Sequence, residues 1–333
     1  MTKVITTASF RGGTGKSTII CNLSSYLSSL GMKVILIDAD IISPGVHAIF
    51  GLDHSNFSKT LTDYLEGNAD INDIVYDISS NINLAEETLF LVPSSISQGD
   101  IANLLLNKHS VKLSKVISNL SKKYNPDFIF VDTHPGINED MLVISGSTDI
   151  LFNVVRPDNQ DYQGLEVSSN ISKKLGVTSF VILNKVHPKM NRNKLISNVK
   201  SAFKIPVAGA LPFSDDLMLS QSQYVFSDEH PDHALSNEIR NIADRVFNIR
   251  PKKHLEIMHE ILEVTSKGIS PEKFDSKQRS SNKYQKYTND LIKRGFINIV
   301  TPNGKKLLKT SSKGQKYLKK YKIIRKFVDN FRL

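Results

Sequence analysis

Residues Phe10-Arg11-Gly12-Gly13-Thr14-Gly15-Lys16-Ser17-Thr18 restrict what this chain can fold into more than any other stretch. Ahead of them, Lys3–Ser9 is rich in Val, Ile and Thr and predicts a buried strand. Behind them, Ile19, Ile20, Leu23, Leu27 and Leu30 recur at helical spacing and predict a helix over Ser17–Leu30. A strand, a glycine-rich turn and a helix start, in that order, make the setting of a nucleotide phosphate site. Gly12, Gly13 and Gly15 open backbone conformations closed to other residues, so that successive N–H groups can turn inward around a phosphate. The helix start adds its positive dipole end, Lys16 adds a point charge, and the Ser17 hydroxyl stands where it can ligate Mg²⁺.

The ordinary pattern Gly-x-x-x-x-Gly-Lys-[Ser/Thr] would require glycine at position 10, where Phe10 stands. The run instead reads as a cation followed by Gly-Gly-x-Gly-Lys-[Ser/Thr]-Thr. In this it resembles the ParA/MinD family of P-loop ATPases with a deviant Walker A loop. The resemblance implies ATP and Mg²⁺ as nucleotide and metal, with the phosphates held by Gly12, Gly13, Thr14, Gly15, Lys16, Ser17 and Thr18. The family's loop usually opens with a signature lysine that crosses a dimer to the partner's ATP. Here that position is Arg11, so the resemblance gives Lys16 and Arg11 catalytic parts, one within the chain and one across a homodimer.

Further strands fall at intervals along residues 1–248. Lys33–Ile37 runs into Asp38-Ala39-Asp40, and by resemblance Asp40 positions the attacking water while Asp38 supports the metal site from behind. Asp127–Val131 is the most apolar strand, closed by Asp132, which the resemblance makes the Walker B aspartate that holds Mg²⁺. Thr133-His134-Pro135-Gly136 resembles the family's second switch, and His134 is read as a switch-loop residue without proton chemistry. By the same resemblance Asn184, at the end of Val177–Leu183, is expected at the adenine edge, and Leu211-Pro212-Phe213 is similar to the family's loop lining the adenine pocket, with Pro212 the contact. Strands at Thr88–Val92, Ile150–Val155 and Ile205–Ala210 complete a set of seven. They alternate with helical stretches at Ser58–Glu66, Ile71–Tyr76, Ile101–Leu106, Val111–Tyr124, Tyr162–Leu175 and His233–Asn248. The fold class is therefore α/β, a P-loop NTPase with a mostly parallel twisted sheet flanked by helices. Its ligand belongs at the carboxyl ends of the strands, where Asp38, Asp40, Asp132 and Asn184 fall.

Charge divides the chain. Residues 1–250 hold 22 Lys+Arg against 26 Asp+Glu, a net −4, while residues 251–333 hold 21 against 7, a net +14. The basic segment, 252–333, should meet something anionic. It predicts helices over Lys252–Lys267, Pro271–Gln278 and Ser281–Arg294. A hairpin, Phe296–Val300 and Lys306–Lys309, turns at Pro302-Asn303-Gly304, and a long helix spans Ser312–Phe331. That order is a small winged helix-turn-helix, and Leu291–Gly295 with Thr310–Tyr321 resembles archaeal winged-helix proteins. On this reading Asn282, Lys283, Gln285, Lys286 and Asn289 of the third helix face DNA, with Lys305 and Lys306 at the wing.

The sequence contains no apolar run long enough to span a membrane and does not start like a signal peptide. Its single cysteine, Cys21, excludes an intrachain disulfide and a cluster held by several cysteines of one chain. The expectation is a cytoplasmic, nucleoid-associated ATPase that dimerises on ATP, binds DNA through its C-terminal domain and answers to an activating partner protein, in DNA partitioning. A membrane-cycling MinD-like ATPase is the main alternative, resting on Leu318, Tyr321, Ile324, Val328 and Phe331 of the last helix. An ATP-sensing regulator of transcription is the other.

Overall fold

Apolar side chains alternate sides along the strands of the N-terminal unit, so each strand feeds two cores. In the strand Val34–Ala39, Val34 and Leu36 enter one core and Ile35 and Ile37 the other. A strand that is apolar on both faces needs cover on both, which is the signature of a parallel sheet between helical layers. The computed structural model describes residues 2–95, 110–136, 144, 146–249, 254–277 and 282–331, and the chain divides into two compact units, Met1–Ile249 and Arg250–Leu333.

The first unit runs β1 (Lys3–Ala8), α1 (Lys16–Ser29), β2 (Val34–Ala39), α2 (Val46–Ile49), α3 (Leu61–Glu66), β3 (Tyr76–Asp77) and β4 (Leu89–Val92). It continues α4 (Ser110–Tyr124), β5 (Phe128–Thr133), β6 (Ile150–Val155), α5 (Asn159–Leu175), β7 (Thr178–Val186) and α6 (Arg192–Phe203). It closes with β8 (Val207–Pro212), α7 (Asp215–Leu219), α8 (Phe226–Glu229) and α9 (Ala234–Phe247). The sheet has eight strands in the order β3-β4-β2-β5-β1-β6-β7-β8, parallel throughout except for β3 against β4. Helices α1 and α9 pack together over one face, with Ile20, Leu23, Leu27, Ile239 and Ile242 buried against Leu36 and Phe130. The opposite face is covered by α4 beside β2 and β5, and by α5 and α6 beside β7 and β8.

The expected seven strands become eight because Tyr76–Asp77 adds a short antiparallel edge. That edge also corrects the helix expected over Ile71–Tyr76: residues 71–74 form turns, with Asp70 N capped by the Asp73 carboxylate at 2.9 Å. Local side-chain bonds of this kind compete with a helix. The helix expected from Ser58 begins at Leu61, because Thr60 and Asp63 form a capping box there. The helix expected over Ile101–Leu106 lies outside the described residues. Helix α6 is an addition to the expected elements, its polar surface burying only Val199 fully.

Helix α8 carries a stability liability. The Asp228 carboxylate accepts a hydrogen bond from Ser25 Oγ on α1 at 2.6 Å, yet burial pushes its pKa up to about 6. A raised carboxylate pKa means that the folded state holds the proton more tightly than the unfolded chain. Stability is then lost as pH rises from the unfolded value, near 4, through the folded one. Asp228→Asn removes that loss, worth on the order of 2 kcal/mol at neutral pH. The variant should melt a few degrees higher than the parent at pH 7.5, with the gap shrinking at pH 4.5 in thermal melts. A gap that widens on acidification would contradict it.

The second unit runs α10 (His254–Val264), α11 (Pro271–Lys277), α12 (Asn282–Lys293), β9 (Ile297–Val300), β10 (Leu307–Thr310) and α13 (Ser312–Phe331). β9 and β10 are antiparallel, and Ile269, between α10 and α11, bridges Leu308 as a one-residue third strand. Ile257, Ile261, Leu262, Phe274, Leu291 and Leu318 form its core. Thr265 and Thr310 share a buried hydroxyl bond at 2.7 Å, fastening α10's end to β10.

Candidate active site

The order of strands brings three aspartates to one edge. β1 lies between β5 and β6, and β5 lies beside β2, so the loop after β1 opens beside the ends of β2 and β5. Asp38 and Asp132 are register partners across β2 and β5. Thr7, near the end of β1, donates through Oγ1 to Asp132 Oδ1 at 3.1 Å, and Ser17 adds a second side-chain hydrogen bond to Asp132.

The glycine loop is shaped by its neighbours. Gly13 and Gly15 have φ of 72° and 93°, a left-handed conformation that strains other residues. A Cβ at Gly15 would also collide with Asn184 Nδ2, which donates to the Thr14 carbonyl at 2.7 Å. Lys185 reaches back from β7 to donate to the Gly13 carbonyl at 2.9 Å. These two contacts explain why a loop residue and the end of a distant strand belong to one site. Spacing alone carries no sign of Lys185.

Lys16 opens α1 and is buried, its Nζ donating to Ser9 Oγ at 3.1 Å. Burial lowers its pKa, while the charges of Asp132 and Asp40 act in the opposite sense. Asp132 has its pKa raised to about 6, first by burial, with Ser17, Lys16 and Thr7 opposing. Asp38, fully buried, is raised well above the carboxylate range by burial and by Asp132. Its Oδ2 accepts the N–H groups of Gly45 and Val46 at 3.0 and 3.1 Å, which tethers the segment after β2. Asp40 Oδ1 accepts from Ser43 N at 3.0 Å and faces His134 Nδ1 at 2.8 Å. Gly136 N bonds to the Ser9 carbonyl at 2.8 Å, so the turn after β5 is laced to the head of the glycine loop.

These residues fit a magnesium nucleotide. Gly15 caps α1 without a side-chain hydrogen bond, which leaves the first-turn N–H groups of a 14-residue helix to an outside acceptor. The Thr14 hydroxyl is buried in the loop with no partner among the described residues. Carboxylates outnumber the buried ammonium beside them, a balance that a divalent cation corrects. Mg²⁺ shared with phosphate oxygens needs only one or two protein groups, which Ser17 and Asp132 would supply.

Arg11 sits apart from this cluster. It is exposed, and its Nη1 donates to Gln160 Oε1 in the first turn of α5. Phe10, at the position where the ordinary motif has glycine, is 46% exposed and lies against Gly164 of α5. A Cβ at Gly164 would collide with the Phe10 ring, so the helix keeps a glycine that costs about 1 kcal/mol of propensity. Pro212 ends β8, and the next residue, Phe213, is hydrogen-bonded to Val186 at 2.9 Å and 37% exposed. In the second unit Asn289, Lys305 and Lys306 are exposed, while the side chains of Asn282, Lys283, Gln285 and Lys286 lie outside the described residues.

Comparison with known proteins agrees with this geometry. The model of the AAA domain family matches residues 2–179. An uncharacterised ATP-binding protein of Methanocaldococcus jannaschii is 29% identical over 213 residues, covering 64% of this chain and 75% of that protein. The cell division ATPase MinD of Pyrococcus furiosus superposes with a TM-score of 0.64 at 22% identity, covering 75% of this chain and all of that one. The septum site-determining protein MinD of Pyrococcus horikoshii, solved with Mg-ADP, gives 0.62 at 23%, covering 74% and 96%. The chain belongs to the AAA domain family and is an ATPase whose first unit has the fold of the MinD structures.

Proposed function

We propose that this ATPase is a dimerising molecular switch that binds DNA through residues 252–333 and serves DNA partitioning in the cytoplasm. The observation that carries the reading is the placement of charge: +14 lies in the C-terminal segment and −4 in the rest. The order helix, one-residue strand, helix, helix, hairpin supports the reading of a winged helix-turn-helix, in which α12 is the recognition helix and Lys305 and Lys306 stand on the wing. A groove of about 1390 Å³ in this unit takes in Lys305 and Lys306 of the wing. Lys267, Lys273, Lys305, Lys306, Lys319 and Lys322 line it, against Glu263 and Glu272.

In the ATPase unit the deviant Walker A loop holds the phosphates. Lys16 draws them in, Asp132 and Ser17 hold the metal, and Asp38 keeps the segment carrying Asp40 in place. Mg²⁺, held there, would offset the charge that develops in phosphoryl transfer. Asp40 orients the attacking water, and Asn184 and Pro212 flank the adenine. The chemistry is phosphoryl transfer to water, carried by positioning and charge. ATP closes the dimer, DNA binding follows, and hydrolysis, stimulated by a partner protein, releases it. A membrane-cycling reading draws less support, because Leu318, one of the apolar positions an interfacial helix would use, is spent in the second unit's core.

DNA retention by the full chain and by residues 1–249, each with ATP, ADP or no nucleotide, tests the reading. The full chain should bind duplex DNA with a log–log salt slope of about −0.9 for each phosphate neutralised, and the shortened chain should lose most affinity and slope. Full-strength DNA binding by residues 1–249 would move the DNA surface to the ATPase unit, and anionic vesicles retained in place of DNA would favour the membrane reading.

A further inference from the structure

Two different segments meet on one oxygen of Asp40. Its Oδ1 accepts the backbone N–H of Ser43, from the segment after β2, and lies 2.8 Å from Nδ1 of His134, in the turn after β5. An ionised carboxylate only accepts, so its imidazole partner donates from Nδ1, a tautomer assigned by that partner. Both accepting directions of Oδ1 are then in use. Asp40 Oδ2 has no hydrogen bond among the described residues. The pair is near the surface without being free in solvent, the side chains of His134 and Asp40 being 32% and 13% exposed.

We propose that His134 is a positioning residue for ATP hydrolysis, which fixes the Asp40 carboxylate so that Oδ2 is the atom presented to the attacking water. An aspartate carboxylate alone turns over a broad, roughly two-fold torsional well. Two donors on Oδ1, from separate segments, remove that freedom and leave a single oriented acceptor. A water held in one direction reaches the phosphate in line more often, which is how positioning enters a rate. The contact also explains why the turn Thr133-His134-Pro135-Gly136 is fastened at both ends. Thr133 Oγ1 donates to the Thr7 carbonyl at 2.6 Å and Gly136 N to the Ser9 carbonyl at 2.8 Å, so the imidazole is carried on an anchored turn. The inference rests on the reading that gives Asp40 the water.

The test compares His134→Ala, His134→Asn, His134→Gln and Asp40→Ala in the full chain. The readouts are phosphate release at saturating Mg-ATP, equilibrium ATP affinity and thermal melting. Asparagine carries its amide nitrogen where imidazole carries Nδ1, whereas glutamine carries it one bond further out. His134→Ala and His134→Gln should lower kcat by about ten- to a hundredfold. ATP affinity should stay within about twofold and melting should be unchanged, since a positioning residue acts on the water and not on the phosphates. His134→Asn should recover most of kcat. Three results would overturn the proposal: wild-type kcat in His134→Ala, equal losses in the asparagine and alanine variants, or a kcat loss matched by lost ATP affinity or lowered melting. Wild-type hydrolysis by Asp40→Ala would instead remove the reading of Asp40 itself. An inactive Asp40→Ala beside a fully active His134→Ala removes only the role of His134.

Discussion

Lys16→Ala should weaken ATP binding by about a hundredfold or more, measured by equilibrium titration with a fluorescent ATP analogue. Lys16 is buried at the start of α1, and among the described residues its ammonium has one neutral partner, Ser9 Oγ, with Asp132 and Asp40 close enough to act on it through their charges. A hydrogen bond from an ionised donor contributes roughly 1.5–3 kcal/mol. Here the loss would be compounded, because the phosphates would then approach carboxylates with no buried cation between. The other cations near the loop do not replace it: Arg11 is turned toward Gln160, and Lys185 is held by the Gly13 carbonyl. The substitution takes a desolvated ammonium out of a pocket, so folding should survive it, which a thermal melt checks. Wild-type affinity in a folded variant would remove the phosphate-loop reading altogether.

The residues that carry local geometry were those most legible in the sequence. Gly13 and Gly15 announce left-handed backbone and apolar runs announce strands buried on both faces, whereas the helix expected from Ser58 starts at Leu61, where Thr60 and Asp63 form its capping box. Partners brought together by topology were not legible. Lys185 meets the glycine loop only because β7 stands two strands from β1, and no spacing along the chain records that; Asn184 is expected at the site by resemblance, as an adenine contact and not as the donor to the Thr14 carbonyl that the structure shows. His134 is the sharper case. In sequence it is one residue of a switch-like turn, read as one without proton chemistry, and nothing in the turn names a partner for its ring. The register that sets β2 against β5 brings its ring to Asp40, which lies in another segment. Phe10 and Gly164 were hidden in the same way. Each looks like a weak choice alone, a phenylalanine where glycine is usual and a glycine within a helix, and each is explained by the other. The edge strand Tyr76–Asp77 escaped because two residues give no period to read.

Arg11→Ala should keep ATP binding and lose ATP-dependent dimers and hydrolysis. The position is the one whose lysine, in the ParA/MinD loop, crosses to the partner's nucleotide, and it needs a long cation. Arg11 is exposed and makes its side-chain hydrogen bond to Gln160 on α5. Its charge bears on Asp161, which Arg156 already grips through two nitrogens at 3.0 Å each. None of these contacts belongs to the cluster of Lys16, Asp40 and Asp132, so within one chain Arg11 is a cation without a phosphate to serve. A neutral glutamine partner holds it at little cost and can release it to a second copy. Arginine adds a planar fork that can hold phosphate oxygens through two bonds, so Arg11→Lys should still dimerise while turning over at an altered rate. Mixing two inactive variants separates action across the dimer from action within one chain. An Arg11→Ala chain can hold ATP and a Lys16→Ala chain still carries Arg11, so their mixed dimer has one complete composite site. Phosphate release should reappear on mixing, approaching a quarter of the wild-type rate per chain if the chains pair at random and half of the dimers each run one site. Full activity of Arg11→Ala alone would assign the arginine to the surface, and silence on mixing, with mixed dimers present by sedimentation, would place its action within its own chain.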